Sequence, residues 1–401
     1  MSLAAQINVV SISIPKPAQI AALLGLVTLA SYSFLKLYQA RMLVRQLQRS
    51  VLPVAPCHSF FLGNLLYLKD CIDKIPYKAH YFYAFGDIYR SNFQNEGVFY
   101  LDMWPVAGLM LVVISPSVAT EAFQNNPLIS MRKLDMLAKY FKPIAGRPNL
   151  FDMQEADWRP WRTAFNKGFS TEYLTTLVPG MVMTCAQYCE TLRLLARDGE
   201  MFQLDSVTLR FTLDLIGRTI LNADLGAQKG YNQTAEFNPL EYINFVRSFI
   251  QWRNVRRMNQ YIGKQLDKRH TEFREDSSGQ RSKVVIDLVL QAYLKDQGLQ
   301  SGKLDPRFRD FATRQIRLFL FAGHDSTSST ICFCIYHLYR NPEALQRVRE
   351  EHDRIFATLP SVLTAQPHLA NDLPYLTAVI KEALRLFPPA SGIRQGHPTP
   401  L

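Results

Sequence analysis

The sequence predicts a mainly α-helical fold with a small β-sheet, preceded by a helix that can span a membrane. Residues 18–35 contain no charged side chain, and residues 98–114 are rich in aromatic and β-branched types. Beyond Pro116, apolar residues recur at helical spacing over most of the chain. With 401 residues, of which 48% are hydrophobic, the chain can bury a large core. Roughly 100–200 residues per domain would allow two or three domains, or one large one.

The uncharged segment 18–35 is long enough to cross a membrane, because its helix would measure roughly 27 Å. Only Lys16 precedes it. Four cations follow it closely: Lys36, Arg41, Arg45 and Arg49. The positive-inside rule therefore predicts that the rest of the chain lies on the cytosolic side of the membrane. A cleaved signal peptide is the alternative, although its positive charges would precede the apolar run and a cleavage site would follow it.

The segments on either side of this anchor are expected to differ in character. Residues 1–17 would form an N-terminal tail. Residues 36–56 would form a basic, proline-rich hinge, in which Pro53 and Pro56 end the anchor helix because proline lacks an amide donor. Residues 57–401 would then form the globular domain.

The formal net charge of +11 indicates an anionic partner, for which lipid headgroups, an acidic protein and nucleic acid are candidates. Nucleic acid is disfavoured because the Lys and Arg residues are spread along the chain and form no basic helix or zinc motif. The six cysteines are sparse, and no pair has the spacing of a zinc knuckle or of a redox Cys-x-x-Cys motif. We therefore assign no metal-ligating residue.

Helices are predicted over long segments in which apolar residues recur at helical spacing with Lys, Arg, Glu and Gln between them. These segments are 171–196, 204–221, 241–274, 283–295, 308–339, 342–356 and 376–386. Two short strands are predicted within 98–114, where turn formers separate runs of strand formers.

The predicted helix 308–339 has a polar middle, which is unusual for a long helix with apolar ends. Residues 323–330, GHDSTSST, place a glycine, a carboxylate and five hydroxyls where a buried helix normally has Leu and Ala. Burial of an unpaired carboxylate would cost several kcal/mol, so these groups are expected to serve a ligand. Gly323 would let a flat ligand approach the backbone, and a hydroxyl at Ser326 or Thr327 could bond to a carbonyl one turn earlier and admit water. A kinked helix whose polar middle faces solvent is the alternative.

The sequence AGHDST, beginning at Ala322, resembles the oxygen-activation motif of cytochrome P450 enzymes, which are haem-thiolate monooxygenases. This resemblance implies that Ala322 and Gly323 lie against the haem. It gives Asp325 and the two hydroxyls that follow it, Ser326 and Thr327, a role in proton delivery. Ser326 stands where the family usually has threonine. A serine keeps the hydroxyl but lacks the methyl group that restrains its rotamer, so altered coupling is expected rather than lost chemistry.

Glu382 and Arg385, in the sequence KEALRLFPP, lie three residues apart on one face of a predicted helix that two prolines end. They resemble the Glu-x-x-Arg pair of the family's K helix, which implies a structural role beneath the haem. An isolated exposed pair of this kind would contribute little, but the apolar setting favours the structural role.

Trp158 and Arg162, in the sequence DWRPWR, lie four residues apart and share a helix face. From that face an indole N–H and a guanidinium could bind carboxylates. The two residues resemble the Trp-x-x-x-Arg motif of the family's C helix, which implies that they hold a haem propionate. A surface arginine packed on a tryptophan is the alternative.

The resemblance also implies the rest of the system. Arg394 would contact the second propionate, and Phe321, Ala322 and residues 389–393 would line the substrate pocket. The enzyme would carry haem b and insert one oxygen atom from O2 into a hydrophobic organic substrate, with electrons from NADPH through a membrane-bound reductase. A single-pass position in the endoplasmic reticulum membrane, with the domain in the cytosol, and a role in fungal secondary metabolism follow from the same resemblance. Polyketides, terpenoids, steroids and fatty acids all stay open as substrates.

Residues 1–401 contain no Phe-x-x-Gly-x-Arg-x-Cys-x-Gly segment, in which the family carries the cysteine thiolate that binds the haem iron. We therefore expect the cytochrome P450 domain to be incomplete at its C-terminus. Two interpretations stay open at this point. The sequence is part of a complete monooxygenase, or it is a catalytically inactive remnant that lacks the axial cysteine.

Overall fold

The computed structural model describes residues 16–76, 80–121, 135–199, 201–229, 246–275, 284–297, 304–356 and 361–390. The chain divides into two compact units, Met1–Ile129 and Ser130–Leu401. Both are mainly helical over the described ranges, and the strands found there belong to the first unit. The predicted helix-rich fold with a small sheet is therefore confirmed. The boundary between the units falls inside the predicted globular domain 57–401, whose limits stay a prediction.

The first unit combines helices with a two-stranded sheet. Its elements are α1 (Lys16–Arg49), α2 (Leu65–Lys74), α3 (Phe82–Asn92), β1 (Val98–Asp102), β2 (Leu109–Val113) and α4 (Pro116–Thr120). The strands pair antiparallel with Val98 opposite Val113, as predicted for the segment 98–114. Phe99 and Leu101 of β1 are fully buried and form a core with residues of α2 and α3.

Helix α1 continues past the predicted anchor, because residues 36–49 contain no glycine or proline to end it. Its segment Gln19–Arg49 is long and apolar enough to cross a membrane, and only 6% of its most apolar stretch is buried in the protein. That exposure separates it from the core helix of a soluble protein, although a signal sequence passes the same test of length and composition. Pro53 follows the end of the helix, as predicted.

Arg41 of α1 lies inside the first unit rather than at a membrane surface. It is 2% exposed and forms a buried ion pair with Asp102 at the end of β1. Nη2 of Arg41 also donates to the carbonyl oxygen of Phe61 at 3.0 Å. Nε2 of His58 lies 2.9 Å from the same Asp102 carboxylate. These contacts fix the C-terminal part of α1 to the sheet.

The burial of Arg41 corrects the prediction that it is one of four cations facing the cytosolic surface of the membrane. Its charge is neutralised inside the protein, so it is not available to lipid headgroups. The positive-inside argument therefore depends on the three cations of this flank that are exposed, which are Lys36, Arg45 and Arg49.

The described part of the second unit is helical. Its helices are α5 (Asp135–Ala145), α6 (Glu155–Asn166), α7 (Thr171–Asp198), α8 (Leu204–Leu221), α9 (Val246–Glu275), α10 (Val285–Gln297), α11 (Pro306–Arg340), α12 (Pro342–Phe356), α13 (Ser361–Ala365) and α14 (Pro374–Leu386). Every helix predicted from apolar spacing is present within the described residues, and the limits of α8 and α12 coincide with the predicted ones. Residues 241–245 and 283 of the predicted helices lie outside the described residues.

Helix α11 is continuous, so its polar middle does not interrupt it. Asp305 caps its first turn, since the Asp305 carboxylate accepts a hydrogen bond from the Arg307 N–H at 3.1 Å. The first half of α11 lies in the main core of the second unit, where Ala312 and Ile316 are fully buried. Leu320 is the last residue of α11 in that core, so the polar middle begins just beyond it.

Glu351 of α12 fixes the start of α14. Its two carboxylate oxygens accept hydrogen bonds from the N–H groups of Tyr375 and Leu376 at 2.8 and 2.9 Å. These N–H groups lie in the first turn of α14, where the helix offers no acceptors of its own and a negative charge is favoured. Burial opposes ionisation, but the two hydrogen bonds outweigh it and hold the pKa of Glu351 below its usual value.

Candidate active site

Helix α8 meets the polar middle of α11 at Gly323. A Cβ atom at this position would lie 2.4 Å from Cδ1 and 2.6 Å from Cγ1 of Ile216. The two helices can therefore pack this closely only because Gly323 has no side chain. Ile216 occupies the space that a side chain at Gly323 would take, and the contact of Gly323 with a flat ligand stays a prediction.

Two hydrogen bonds extend this contact between α8 and α11. The hydroxyl oxygen of Thr212 lies 2.9 Å from the His324 carbonyl oxygen, within donating distance. The hydroxyl of Ser328 donates to the Asp205 carboxylate at 3.1 Å. Part of the polar middle therefore serves helix packing, and sequence reasoning missed the residues of α8 that take part. Thr208 and Thr212, four residues apart on one face of α8, were the available signal.

The other face of this segment of α11 is open. Successive residues of an α-helix lie about 100° apart, so Ala322, Asp325, Ser326 and Ser329 point away from the face that meets α8. Ala322 and Asp325 are exposed, and the two serines are half-buried. The Asp325 carboxylate has no hydrogen-bond or ion-pair partner among the described residues. Its charge is therefore available to a ligand or to water.

The Ser326 hydroxyl donates to the Ala322 carbonyl oxygen one turn earlier, at 2.6 Å. This is the bond to the preceding turn that the sequence predicts. Thr330 repeats the pattern by donating to the Ser326 carbonyl oxygen at 2.8 Å. Thr327 is half-buried and lies about 100° further round the helix, toward α8. The open face thus combines a carboxylate and a hydroxyl with a small apolar side chain.

Helix α6 is tied to α11 by aromatic side chains. The ring centroids of Trp161 and Phe311 lie 4.5 Å apart, and those of Phe165 and Phe319 lie 4.9 Å apart. Phe319 precedes Ala322 by three residues, roughly 4.5 Å along the helix axis. Sequence reasoning missed Trp161 and Phe165, although their spacing of four residues marks an apolar helix face.

Trp158 and Arg162 lie on α6 as the sequence predicts. Trp158 is half-buried against the main core, and Arg162 is exposed. The Arg162 guanidinium has no hydrogen-bond acceptor or carboxylate partner in the described parts of the chain. An unpaired guanidinium of this kind can bind a carboxylate through two parallel hydrogen bonds.

Glu382 and Arg385 of α14 form two hydrogen bonds of 2.7 Å. These bonds hold the pKa of Glu382 below its usual value. The side chains are 55% and 67% exposed, so the apolar setting expected for this pair is wrong. The end of α14 contacts α11, where the rings of Phe387 and Phe333 stack with centroids 4.1 Å apart. Phe333 lies about three turns after Ala322 on the same face of α11.

The remaining predicted site residues are Arg394, Phe321 and residues 389–393. Arg394 and residues 391–393 lie outside the described residues. Phe321 is half-buried, and its ring centroid lies 5.8 Å from that of Phe141 on α5. In the described ranges, no three His, Cys, Asp or Glu side chains are grouped so that they could hold a metal ion.

The open face of α11 therefore lies between the contact of α6 at Phe319 and the contact of α14 at Phe333. Residues 60–399 match the family model described as Cytochrome P450. The chain belongs to the cytochrome P450 family.

Two fungal relatives are named cytochrome P450 monooxygenases. The polC protein of Polytolypa hystricis is 35% identical over 383 residues, which cover 90% of this chain and 68% of polC. The acrF protein of Aspergillus aculeatus is 31% identical over 313 residues, which cover 74% of this chain and 61% of acrF. The matched chain thus spans roughly two thirds of the length of these relatives.

A solved structure shares the fold. The crystal structure of the cytochrome P450 CYP102L1 aligns with a TM-score of 0.62 and 21% sequence identity, and the alignment covers 83% of this chain and 69% of that one. The predicted cytochrome P450 fold is therefore confirmed.

Membership in the cytochrome P450 family implies haem as the cofactor. The described residues fit such a group in two respects. Arg162 offers an unpaired guanidinium to a propionate, and Ala322 presents only a methyl group on an exposed face of the central helix. Two cysteines of α11 do not suit a thiolate ligand, because burial raises the pKa of Cys332 and Cys334.

Proposed function

We propose that this protein is a haem-dependent monooxygenase that inserts one oxygen atom from O2 into a hydrophobic organic substrate. The arrangement of Ala322, Asp325 and Ser326 on the open face of α11 carries the proposal, with the Ser326 hydroxyl held 2.6 Å from the Ala322 carbonyl oxygen. Family membership and the two fungal relatives named as monooxygenases support the same reaction.

Haem supplies, when bound, the iron centre at which O2 is reduced. Residues of this chain would bind and orient it. Arg162 would hold a propionate through charge-assisted hydrogen bonds, with the indole N–H of Trp158 as a second donor. The small side chain of Ala322 would allow the flat ring to lie close to α11. Gly323 contributes indirectly, because its contact with Ile216 fixes the backbone of this segment.

Asp325 and Ser326 would move the protons that the reaction consumes. The Ser326 hydroxyl donates to a backbone carbonyl, and a rotation to another staggered rotamer would turn it toward the open face. The exposed Asp325 carboxylate can exchange protons with water and pass them on. Proton delivery would therefore depend on the rotamer of Ser326, which no methyl group restrains.

We also propose that electrons come from NADPH through a membrane-bound reductase and that α1 anchors the protein in the endoplasmic reticulum membrane. The exposed Lys36, Arg45 and Arg49 beyond the apolar stretch support a cytosolic position for the rest of the chain. The net charge of +11 supports an acidic partner or an anionic membrane. Similarity to fungal relatives supports a substrate of secondary metabolism.

The natural transcript that contains the codon of Leu401 gives the most direct test. We expect an in-frame Phe-x-x-Gly-x-Arg-x-Cys-x-Gly segment after that codon. The protein made from this transcript should then give a thiolate-type carbon monoxide difference spectrum after reduction. If the segment and the spectrum are both absent, the monooxygenase is contradicted and the inactive remnant is favoured.

Titration of residues 1–401 with haem tests the propionate contact separately. Arg162→Gln should weaken binding roughly tenfold, because it removes a charge-assisted hydrogen bond. Arg193→Gln, at an exposed arginine of α7, is the matched control and should bind like the unaltered chain. Binding is followed by haem absorbance. Equal affinities of all three proteins would contradict the role of Arg162.

A further inference from the structure

A groove rich in cations lies between α9 and the first turns of α11. Its walls are formed by Trp252, Val255, Arg256, Asn259, Gln260, Lys264 and Arg309. The residues from α9 recur every three or four positions, so they form one face of that helix. None of them belongs to the site around Ala322.

Arg309 forms the floor of the groove. A Cβ atom at Gly263 would lie 2.3 Å from Nη2 and 2.5 Å from Cζ of Arg309, so the guanidinium rests directly on the backbone of α9. The carboxylate of Asp267 accepts bonds from Nε and Nη2 of Arg309 at 3.0 and 2.8 Å. Among the described residues Nη1 of Arg309 has no acceptor, so it can donate to a ligand.

Two further cations in the groove have no carboxylate partner. Arg256 lies over the ring of Trp252, with Cζ 5.4 Å from the ring centroid, and Lys264 is exposed. In the described parts of the chain, neither side chain forms a hydrogen bond or an ion pair. The two residues are eight positions apart, roughly 12 Å along the helix axis, with Gln260 midway between them. A ligand over Gln260 would therefore lie between the two positive charges.

The buried guanidinium of Arg317 adds a third positive charge next to the groove face of α9. Arg317 is 4% exposed and donates to Oδ1 of Asn259 at 3.2 Å and to backbone carbonyl oxygens of α5. Asp310, an acidic neighbour on α11, pairs instead with Arg314 at 2.9 Å. Uncompensated cations repel one another, and an anion in the groove would relieve that repulsion.

From these contacts we infer that the groove binds a phosphate ester carried on an apolar body. A phosphate monoester has a charge of about −1.5 to −2 at neutral pH, which matches the two unpaired cations Arg256 and Lys264. Its oxygens would accept from Nη1 of Arg309 and from the Gln260 amide. Trp252 is 55% exposed, and Phe249 beside it is 58% exposed. The apolar part of the ligand could therefore pack against these two rings.

Two classes of molecule could supply such a phosphate ester: a phospholipid with its headgroup, and a soluble phosphate ester. The full chain in a neutral detergent is titrated by calorimetry with inorganic phosphate, short-chain phosphatidic acid, short-chain phosphatidylcholine and poly-glutamate. We expect phosphatidic acid to bind and phosphatidylcholine not to bind. Binding of inorganic phosphate with similar affinity would identify a soluble ester as the source, and selective binding of phosphatidic acid would identify a lipid.

The double variant Arg256→Gln/Lys264→Gln tests the groove itself. It should weaken phosphatidic acid binding roughly tenfold or more, because two charge-assisted contacts are lost. Arg257→Gln/Lys268→Gln removes the same charge from exposed positions of α9 outside the groove and should bind normally. The proposal is overturned if both double variants lose the same affinity, if phosphatidylcholine binds as well as phosphatidic acid, or if poly-glutamate binds more tightly than either phosphate ligand. Circular dichroism checks that both variants stay folded.

Discussion

Ile216 of α8 occupies the position that a side chain at Gly323 of α11 would need. An added Cβ atom would approach Cδ1 of Ile216 to 2.4 Å, well inside van der Waals contact. Gly323 therefore determines how closely α8 and α11 approach each other.

Gly323→Ala should lower the free energy of unfolding by roughly 1–3 kcal/mol, because one of the two helices must shift to admit the methyl group. Chemical denaturation of the chain in detergent measures this change. In the double variant with Ile216→Ala the loss should be smaller than the sum of the two single losses, since the clashing atoms are gone.

The control for this prediction is Gly180→Ala in α7, where nothing lies within 4 Å of an added Cβ atom. That change should stabilise the chain by roughly 0.5–1 kcal/mol through helix propensity alone. Similar effects at positions 180 and 323 would mean that the contact with Ile216 is not tight.

Ser326→Ala should separate oxygen consumption from product formation in the protein made from the natural transcript. In the proposed mechanism the Ser326 hydroxyl passes protons along the open face, so without it the product formed per O2 consumed should fall roughly tenfold or more while O2 uptake continues. Ser326→Thr keeps the hydroxyl and should retain or raise the ratio. Oxygen uptake, peroxide release and product are measured together. A ratio unchanged in Ser326→Ala would remove this serine from proton delivery.

Arg41→Met should destabilise the first unit by roughly 3–5 kcal/mol, because it leaves the carboxylate of Asp102 buried without its cation. Arg45→Met is the matched control, since Arg45 is exposed on the same helix four residues later and should change stability little. Limited proteolysis and thermal unfolding of the chain in detergent compare the two variants. Equal stability of both variants would show that the buried ion pair contributes nothing.

Stability should depend on pH through Glu351. Its pKa in the folded chain lies below the usual value, so the ionised carboxylate stabilises the start of α14. The folded state therefore binds a proton less readily than the unfolded state. This contribution is fully present above the unfolded pKa of about 4.3 and is lost as the pH falls through the lower folded pKa.

Glu351→Gln should accordingly lower the thermal midpoint at neutral pH, and the difference from the unaltered chain should shrink as the solution is acidified below about pH 4. Glu350→Gln changes the adjacent exposed glutamate and should have little effect at either pH. A difference that grows on acidification would contradict the assignment to Glu351.

Much of the fold was predictable because its helices are long and periodic. The limits of α8 and α12 coincide with the predicted ones, and α12 begins at Pro342, a residue that favours the first helical turn. The strands were predicted because residues 98–114 are rich in aromatic and β-branched types, with turn formers between them. These signals are local, and each depends on a few neighbouring side chains.

The side of a helix that meets a particular neighbour is not a local property. The motif around Gly323 was recognised, but the partner that requires the glycine, Ile216, lies more than a hundred residues earlier in the sequence. The same limit applies to Glu382 and Arg385, whose pairing followed from their spacing while their exposure did not. Burial of Arg41 was missed because Asp102, its partner, carries no mark in the sequence.

The ion pair between Arg41 and Asp102 also limits how α1 can move relative to the sheet. A flexible linker between the apolar stretch and the sheet would let the rest of the unit rotate freely relative to that stretch. Here α1 continues as one helix from the apolar stretch to Arg49. The buried ion pair of Arg41 with Asp102 fixes the C-terminal part of this helix to the sheet, and breaking the pair would destabilise the unit. In the membrane position proposed for α1, a change in the tilt of the helix should therefore turn the sheet with it, so bilayer thickness would influence the orientation of this unit.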